Sequence, residues 1–213
     1  MKIIPELSHY FHIDYRFSHC LDLENSEFPN VEEIKGEIFY NDYDGESDPI
    51  KIGDLELHYY NDAFWDYGFD LYGTFDRSMD TIKLGSALID NGTGNIKHDL
   101  ENEIGQSSNP NILVIHEMLL YADYRGRGFG MEIISGIETF HRGKCGYIAL
   151  HSFPRQHDIS IKGKDRYSEF GLEKLDSNAQ RAQVTLDTFY EKCGFFRIPC
   201  HKESFFIKNI DPM

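Results

Sequence analysis

Residues 111–141 constrain the fold of this chain more than any other stretch. They read NILVIHEMLLYADYRGRGFGMEIISGIETFH: an apolar run, a glycine-rich turn and an amphipathic segment. The apolar run (111–122) is typical of a strand that crosses the centre of a sheet. In residues 130–141 the apolar side chains recur at helical spacing, and Gly143 ends that pattern. A strand that leads through a tight turn into a helix predicts an α/β domain.

The C-terminal half continues the same alternation. YIALH (147–151) predicts a second buried strand, and residues 178–192 predict a helix that Gly194 ends as a left-handed cap. FFRIP and ESFFIKNI predict two closing strands. Residues 152–176 are a long polar connection, which we interpret either as a lid or substrate wall or as a decorated surface loop.

The N-terminal part is the most acidic. EIKGEIFY (33–40) and KIGDLELHYY (51–60) predict strands on either side of a turn-rich stretch, NDYDGESDP (41–49). That stretch fails the twelve-residue calcium loop template, because Tyr40 and Lys51 stand at its first and last ligand positions. We therefore expect a solvated loop there.

Residues 76–90, DRSMDTIKLGSALID, fit two structures. The helical interpretation has Asp76 as its cap and three apolar residues on one face: Met79, Ile82 and Ile89. The glycine at position 85 weakens a helix interior, and alternate apolar residues also suit a strand. The helix is slightly favoured. Residues 91–110 are polar and predict a loop.

Composition limits the classes of partner. The 213 residues suffice for one sizeable domain, and the net charge of −15 argues against nucleic acid or an anionic membrane. No apolar run approaches the roughly 18 residues that span a membrane, and the N-terminus is too polar for a signal peptide, so we expect a cytoplasmic protein. Without CxxC spacing, we expect reduced thiols at Cys20, Cys145, Cys193 and Cys200.

The glycine-rich turn has the features of an anion-binding site. The first amides of a helix have no partner within the helix, and glycines let such amides approach a ligand closely. The turn lacks the lysine of a P-loop, and Met131 stands where a dinucleotide fingerprint needs its last glycine. The pattern that remains is RGRGFG (125–130), or RxxGxG.

RGRGFG between a strand and a helix, together with FYEKCGF (189–195), resembles the GNAT superfamily of N-acetyltransferases. The resemblance covers about residues 111–200, the acyl-CoA core, and leaves about 1–110 as an atypical part of one domain, 1–213. It implies an α/β (α+β) fold with a mixed, mostly antiparallel sheet, splayed between its fourth and fifth strands, and helices on both faces. A helix at 76–90 would interrupt the family's strand meander before the fourth strand.

The resemblance implies acetyl-CoA as the acyl donor and no metal. Backbone amides of the turn would hold the pyrophosphate, and β-strand pairing by Met118 and Leu120 would hold the pantetheine arm. The Met118 N–H would stabilise negative charge on the thioester oxygen. Gln183 stands where many members have an asparagine. The implied cofactor-binding residues are Met118, Leu120, Arg125, Gly126, Arg127, Gly128, Phe129, Gly130, Met131 and Gln183.

Three residues are candidates for moving protons. Tyr190, in FYEKCGF, matches the family tyrosine that often protonates the CoA thiolate as a general acid. His116 lies two residues before Met118, on the same face of an unbulged strand, and an imidazole suits a base for the amine. Glu117 points the other way unless the strand bulges. Each residue also has a structural interpretation, in which it packs the core.

Two classes of function follow from the resemblance. The first is an acyl-CoA-dependent N-acyltransferase that transfers acetyl to an amine-bearing small molecule or to a protein lysine or N-terminus. The alternative is a catalytically silent CoA-binding regulatory or scaffold module. A nucleotide-binding protein is disfavoured by the missing P-loop lysine. Dimers are common in the family, so a homodimer is expected from family habit.

Overall fold

The strands of this domain form one sheet. The computed structural model describes residues 9–18, 31–42, 48–61, 74–75, 78–199 and 201–212. Within these residues the sheet has seven strands. They are β1 (His9–Ser18), β2 (Val31–Asp42), β3 (Ile50–Tyr60), β4 (Ile112–Leu120), β5 (Tyr147–His151), β6 (Phe196–Arg197) and β7 (Phe205–Asn209).

Five α-helices pack around the sheet in the same residues. None of the helices in the described ranges could span a membrane. The helices are α1 (Met79–Leu88), α2 (His98–Ile104), α3 (Phe129–His141), α4 (Asp165–Glu169) and α5 (Ala179–Lys192).

The sheet is mixed but mostly antiparallel. Its strand order is β1-β2-β3-β4-β5-β7-β6, and every adjacent pair is antiparallel except β4 and β5. This confirms the predicted mixed, mostly antiparallel α/β class. Helices α1 and α2 lie between β3 and β4 in the chain, yet β3 and β4 are still neighbours in the sheet. The helical insertion therefore leaves the order of the first four strands uninterrupted in space.

Apolar side chains cover both faces of the sheet. A first core joins alternate residues of β4 and β5, such as Leu113 and Ile148, to the apolar faces of α3 and α5. A second core joins the intervening residues, such as Val114 and Ala149, to α1 and α2. Because side chains alternate along a strand, these two cores place helices on both faces.

Helix α1 confirms the favoured interpretation of residues 76–90 but not its details. Ser78 caps the helix through a capping box with Thr81, whereas Asp76 lies outside the described residues. The predicted apolar face was wrong, because Met79 is 68% exposed and the buried face centres on Leu84 and Leu88. A Cβ on Gly85 would lie 2.6 Å from the Cβ of Phe75, so close packing explains the glycine.

Helix α2 corrects the prediction of a loop over residues 91–110. It buries Leu100 in the second core, and the adjacent Tyr147 hydroxyl donates to the Glu101 carboxylate and accepts from the Ser107 amide. A seven-residue helix with one buried side chain has too little periodic pattern to predict from the sequence. Tertiary contacts stabilise it instead.

Other predicted elements agree with the structure. Strands β2 and β3 match 33–40 and 51–60 with ends extended by one or two residues, while β1 had no sequence prediction. Most of the predicted loop at 41–49 lies outside the described residues. Helices α3 and α5 agree with the predictions within one residue. Cys145 and Cys193 are free thiols, as expected, whereas Cys20 and Cys200 lie outside the described residues.

Candidate functional site

The C-terminal half of β4 runs beyond its neighbour. Strands β4 and β5 pair only from Ile112–Tyr147 to Ile115–Leu150, and β4 then continues to Leu120. A bulge lies where the pairing ends, because Glu56 of β3 pairs with Glu117 while Leu57 pairs with Ile115. His116 is the extra residue of this bulge. Residues 116–120 thus have β3 on one side and no β5 partner on the other.

A cavity of about 740 Å³ lies along this unpaired half of β4. Its wall includes β4 residues 114–120 and much of the turn before α3. The end of β5, parts of the 152–176 connection that follows it and the inner face of α5 complete the wall. Ten of the thirteen residues proposed from the sequence line it: His116, Glu117, Met118, Leu120, Arg125, Gly126, Gly128, Gly130, Met131 and Tyr190. Arg127, Phe129 and Gln183 do not.

The turn at 125–130, which we call the glycine loop, presents its backbone at one end of the cavity. Gly126 and Gly128 have φ angles of +71° and +88°, and Gly128 is the N-cap of α3. A Cβ at either position would meet no atom within 4 Å, so their left-handed conformation, and not crowding, requires glycine. In the part of the chain that the structure describes, the amides of residues 126–130 donate no hydrogen bond. They are free to bind an anion.

The last residues of the loop have packing roles. A Cβ on Gly130 would lie 3.1 Å from the Phe189 ring, so this glycine allows α3 to approach α5 closely. Phe129 is 8% exposed, and its ring packs edge-to-face against Phe11 with centroids 4.9 Å apart. Its side chain therefore belongs to the first core, and only its backbone amide is available to an anion bound at the glycine loop.

The arginines of the loop differ in their contacts. Arg125 donates from Nε to the Leu120 carbonyl at 2.8 Å and from its two Nη atoms to the carbonyls of Phe170 and Gly171 at 2.5 and 3.3 Å. Its guanidinium thus ties the end of β4 to the connection, which leaves little of it for a phosphate. The Arg127 guanidinium lies 5.7 Å from the centre of the Tyr124 ring.

The backbone of Met118 faces the side of β4 that β5 leaves open. The Tyr121 amide donates to the Ile52 carbonyl of β3 at 2.8 Å. Since backbone groups alternate in direction along a strand, Leu119 also faces β3, and the amides of Met118 and Leu120 face away from it. The Leu120 carbonyl is already bonded to Arg125. The Met118 N–H and C=O and the Leu120 N–H are therefore the groups directed to the open side.

Tyr190 lies in the wall of the cavity and is 8% exposed. Burial raises the pKa of its phenol above the usual range, with a smaller contribution from Cys193. Among the described residues, no hydrogen bond to the Tyr190 hydroxyl is formed. A phenol in this state stays protonated at neutral pH and has a proton to donate.

Glu117 is an ion-pair centre. Its side chain is 12% exposed, Oε1 lies 3.3 Å from Nε of Arg155, and Oε2 accepts a short hydrogen bond from Arg166. Arg166 also reaches Asp54 of β3 at 3.4 Å, and Arg155 pairs with Asp158 at 3.0 Å. With both oxygens engaged by guanidinium groups, Glu117 anchors the connection to the sheet.

The bulge changes the direction of His116. In an unbulged strand it would share a face with Met118, but the extra residue turns its ring onto His58 of β3, away from the first core that Met118 contacts. The two imidazoles stack with centroids 4.6 Å apart and an interplanar angle of 14°. Burial and then the charge of His58 lower the pKa of His116, which keeps its ring neutral at pH 7. The shared face with Met118, which was expected of an unbulged strand, is therefore not formed.

The residues of β3 that contact His116 were not predicted from the sequence as part of a site. His58 is 6% exposed, and its Nε2 lies 3.1 Å from Oε1 of Glu56. This hydrogen bond lowers the pKa of Glu56 to about 2. His58 and Glu56 alternate along β3, so the shared face was readable from the sequence, but their contact with His116 depends on the bulge and the strand register.

Gln183 belongs to a different polar cluster. Its Nε2 donates to the Ser152 carbonyl at 2.6 Å and to Oδ1 of Asp187 at 2.7 Å. Asp187 is 7% exposed and also accepts hydrogen bonds from the hydroxyls of Ser152 and Ser204. The amide of Gln183 therefore holds α5 to the end of β5, outside the cavity wall.

The connection at 152–176 is a wall of the site. Phe170 and Leu172 are at most 1% exposed and pack with Leu119 of β4 in a third apolar cluster. Arg155 and Leu172 also line the cavity. Of the two interpretations left open by the sequence, the structure favours the wall over the surface loop.

Comparison with known proteins adds little to this geometry. No family model matches the chain, and no curated protein matches its sequence. A solved structure, the crystal structure of a mutant of KacT, is similar over 87% of this chain and 78% of that chain, with 8% sequence identity and a TM-score of 0.40. A likeness of this size does not identify a function, so the evidence for function lies in the cavity and the residues around it.

Proposed function

We propose that this protein is an acyl-CoA-dependent N-acyltransferase of the GNAT type. One observation carries the proposal: a single cavity is lined by the glycine loop, the unpaired half of β4 and Tyr190. The two motifs that resemble the superfamily, 125–130 and 189–195, lie 60 or so residues apart in the sequence and meet at this cavity.

The residues fit the parts of acetyl-CoA. The amides of residues 126–130 donate no hydrogen bond among the described residues, and they lie at the N-terminus of α3. Both features suit a pyrophosphate. The open edge of β4 offers the Met118 C=O and the Leu120 N–H to the amide groups of a pantetheine arm, as a strand would. The parallel pairing that stops at Ile115 and Leu150 leaves room beside that edge, as in a sheet splayed between its fourth and fifth strands.

The reaction needs two proton movements. Acetyl-CoA supplies a thioester, and a C–N bond to a neutral amine forms while the C–S bond breaks and its electron pair stays on sulfur. Tyr190 donates one proton to the sulfur, and His116 accepts one proton from the amine nitrogen. The Met118 N–H stabilises the negative charge that develops on the carbonyl oxygen. Solvent returns the proton from His116 to the Tyr190 phenolate, which restores both groups.

His116 suits the base role better than Glu117. Its ring lies in the cavity wall, and its lowered pKa leaves a nitrogen lone pair available at neutral pH. Both oxygens of Glu117 are occupied by arginines. The acceptor is an amine, either on a small molecule or on a lysine or N-terminus of a protein.

The first experiment measures CoA release from acetyl-CoA with a thiol-reactive dye across small amines and a lysine peptide. Tyr190→Phe should lower kcat by about 10²- to 10⁴-fold and leave acetyl-CoA affinity unchanged, because it removes only the general acid. Tyr15→Phe is the matched control. Tyr15 is also a tyrosine of raised pKa, about 12, without a hydrogen-bond partner among the described residues, and it lies outside the cavity wall.

The outcomes separate the candidate functions. Amine-dependent release that falls in Tyr190→Phe and persists in Tyr15→Phe supports the enzyme. Tight acetyl-CoA binding without release for any amine supports the CoA-binding regulatory or scaffold module instead. Acetyl-CoA at 100-fold its Kd should stabilise the fold by about 2.7 kcal/mol. If it causes no shift in the melting temperature, both candidate functions are contradicted.

A further inference from the structure

We propose that the hydrogen-bonded pair of Glu56 and His58 on β3 is a platform that positions the His116 ring to accept the proton of the acceptor amine. This inference rests on the proposed function and adds to it a positioning pair from a part of the chain with no motif. It assigns His58 and Glu56 a role through His116, without contact to either substrate.

The geometry of the two imidazoles carries the inference. The rings stack at 4.6 Å and 14°, a face-to-face contact that fixes the plane of His116. His116 is the extra residue of the bulge, so the ladder to β3 does not hold it and its side chain needs another support. His58 provides that support from the buried interior of the sheet, where it is 6% exposed.

Glu56 fixes the orientation of His58. Its carboxylate lies 3.1 Å from Nε2 of His58, which sets the edge of the ring that carries that nitrogen. The Nδ1 atom of His58 is buried and has no hydrogen-bond partner among the described residues. Glu56 therefore holds one edge of the His58 ring, and the nitrogen at the other edge forms no hydrogen bond among the described residues. The face of the ring is the part that contacts His116.

The charges around His116 come from three elements. His58 and Glu56 face it from β3, Arg155 faces it from the connection, and Glu117 is its neighbour on β4. His58 and Arg155 lower the pKa of His116, whereas the two glutamates raise it. Burial is the largest cause, and the net direction is downward. His116 is thus neutral at pH 7 and can take a proton.

Two substitutions at His58 separate the effect of its aromatic ring from the effect of its charge. His58→Phe keeps an aromatic ring under His116 but removes the hydrogen bond and the charge. His58→Gln keeps a side-chain amide that can bond Glu56 but removes the ring. His12→Phe is the matched control, because His12 also stacks on an aromatic residue of the sheet, Phe39 at 4.8 Å, and does not line the cavity.

The test measures amine-dependent CoA release against pH, with the titration of the His116 ring followed by NMR. In His58→Phe the pKa of His116 should rise because a repelling charge is gone. Activity needs neutral His116, so the acid limb of the rate profile should move to higher pH. The plateau kcat should fall, but by less than in His58→Gln, because a ring still supports His116 although Glu56 no longer orients it. In His58→Gln the plateau kcat should fall by about 10- to 100-fold because the ring is misplaced. The KM for acetyl-CoA should not change in either variant.

Each result decides between a platform and a plain core histidine. Urea unfolding first establishes that both variants are folded. Rate profiles and His116 titrations that match wild type in both folded variants would overturn the platform. The NMR titration needs no activity, so it decides whether His58 sets the His116 ring even without CoA release. Absence of both CoA release and acetyl-CoA binding would sink the proposed function, and the base role with it.

Discussion

The two ends of the cavity are built in different ways. At the glycine loop, contiguous residues 125–130 present backbone amides, and the left-handed glycines there have open space around them. At the bulge in β4, the wall depends on side chains from β3, β4 and the connection, joined by ion pairs and a ring stack. A backbone site needs only local conformation, whereas a side-chain site needs the correct sheet register and a folded connection.

This difference predicts which substitutions affect binding and which affect stability. Changes at the glycine loop should act mainly on acetyl-CoA affinity. Changes at the bulge should act mainly on the folding of the connection and on the proton steps. Three substitutions test this division.

Glu117→Gln should destabilise the fold by about 2 kcal/mol, because it leaves Arg155 and Arg166 without their shared carboxylate. Urea unfolding measures the change. Glu203→Gln, which removes the partner of Lys83 on the surface, is the control and should change little. A large loss of kcat with wild-type stability would instead make Glu117 the catalytic base and reverse the division between the two ends.

Gly128→Ala should weaken acetyl-CoA binding about tenfold and cost about 1 kcal/mol of stability, because an alanine is strained at a φ of +88°. Gly136→Ala is the control within the same helix. Gly136 has open space around it and no positive φ, so the alanine there should stabilise α3 by about 0.5 to 1 kcal/mol. Isothermal titration and urea unfolding measure both effects. Unchanged affinity in folded Gly128→Ala would remove the loop from the ligand site.

Arg125→Lys should cost about 1 kcal/mol and increase amide hydrogen exchange near residues 170–172, because a lysine cannot reach three carbonyls at once. Arg127→Lys is the control, because the Arg127 guanidinium lies over the Tyr124 ring whereas that of Arg125 bonds the three carbonyls. A loss of acetyl-CoA affinity without any change in exchange would show that Arg125 serves the ligand and not the connection.

Much of the site could be predicted from local pattern. The glycine loop, α3 and α5 have strong periodicity and glycine punctuation, so their positions follow from the sequence within one residue. The strand β4 was equally clear, but its bulge was not, since one extra residue at His116 leaves no mark in the hydrophobic pattern. The shared face of His116 and Met118 was predicted for an unbulged strand, and the bulge removes it.

Other features depended on contacts between distant segments. The short helix α2 forms because Leu100 reaches the second core, and Gln183 turns away from the cavity because Asp187 and Ser152 hold its amide. Arg125 lies in a motif, yet its guanidinium is directed to carbonyls about 45 residues later in the chain. None of these contacts could be read from neighbouring residues.

The sequence by itself determined the α/β class, the strand–turn–helix unit and the left-handed cap at Gly194, because periodicity and φ preferences are local properties of the chain. Only the tertiary structure decided that His116 stacks on His58, that Glu117 serves two arginines and that the connection walls the cavity. Those features depend on which strands pair, in which register and with what inserted between them. Pairing of this kind is set by the packing of the whole domain, and no short stretch of residues specifies it.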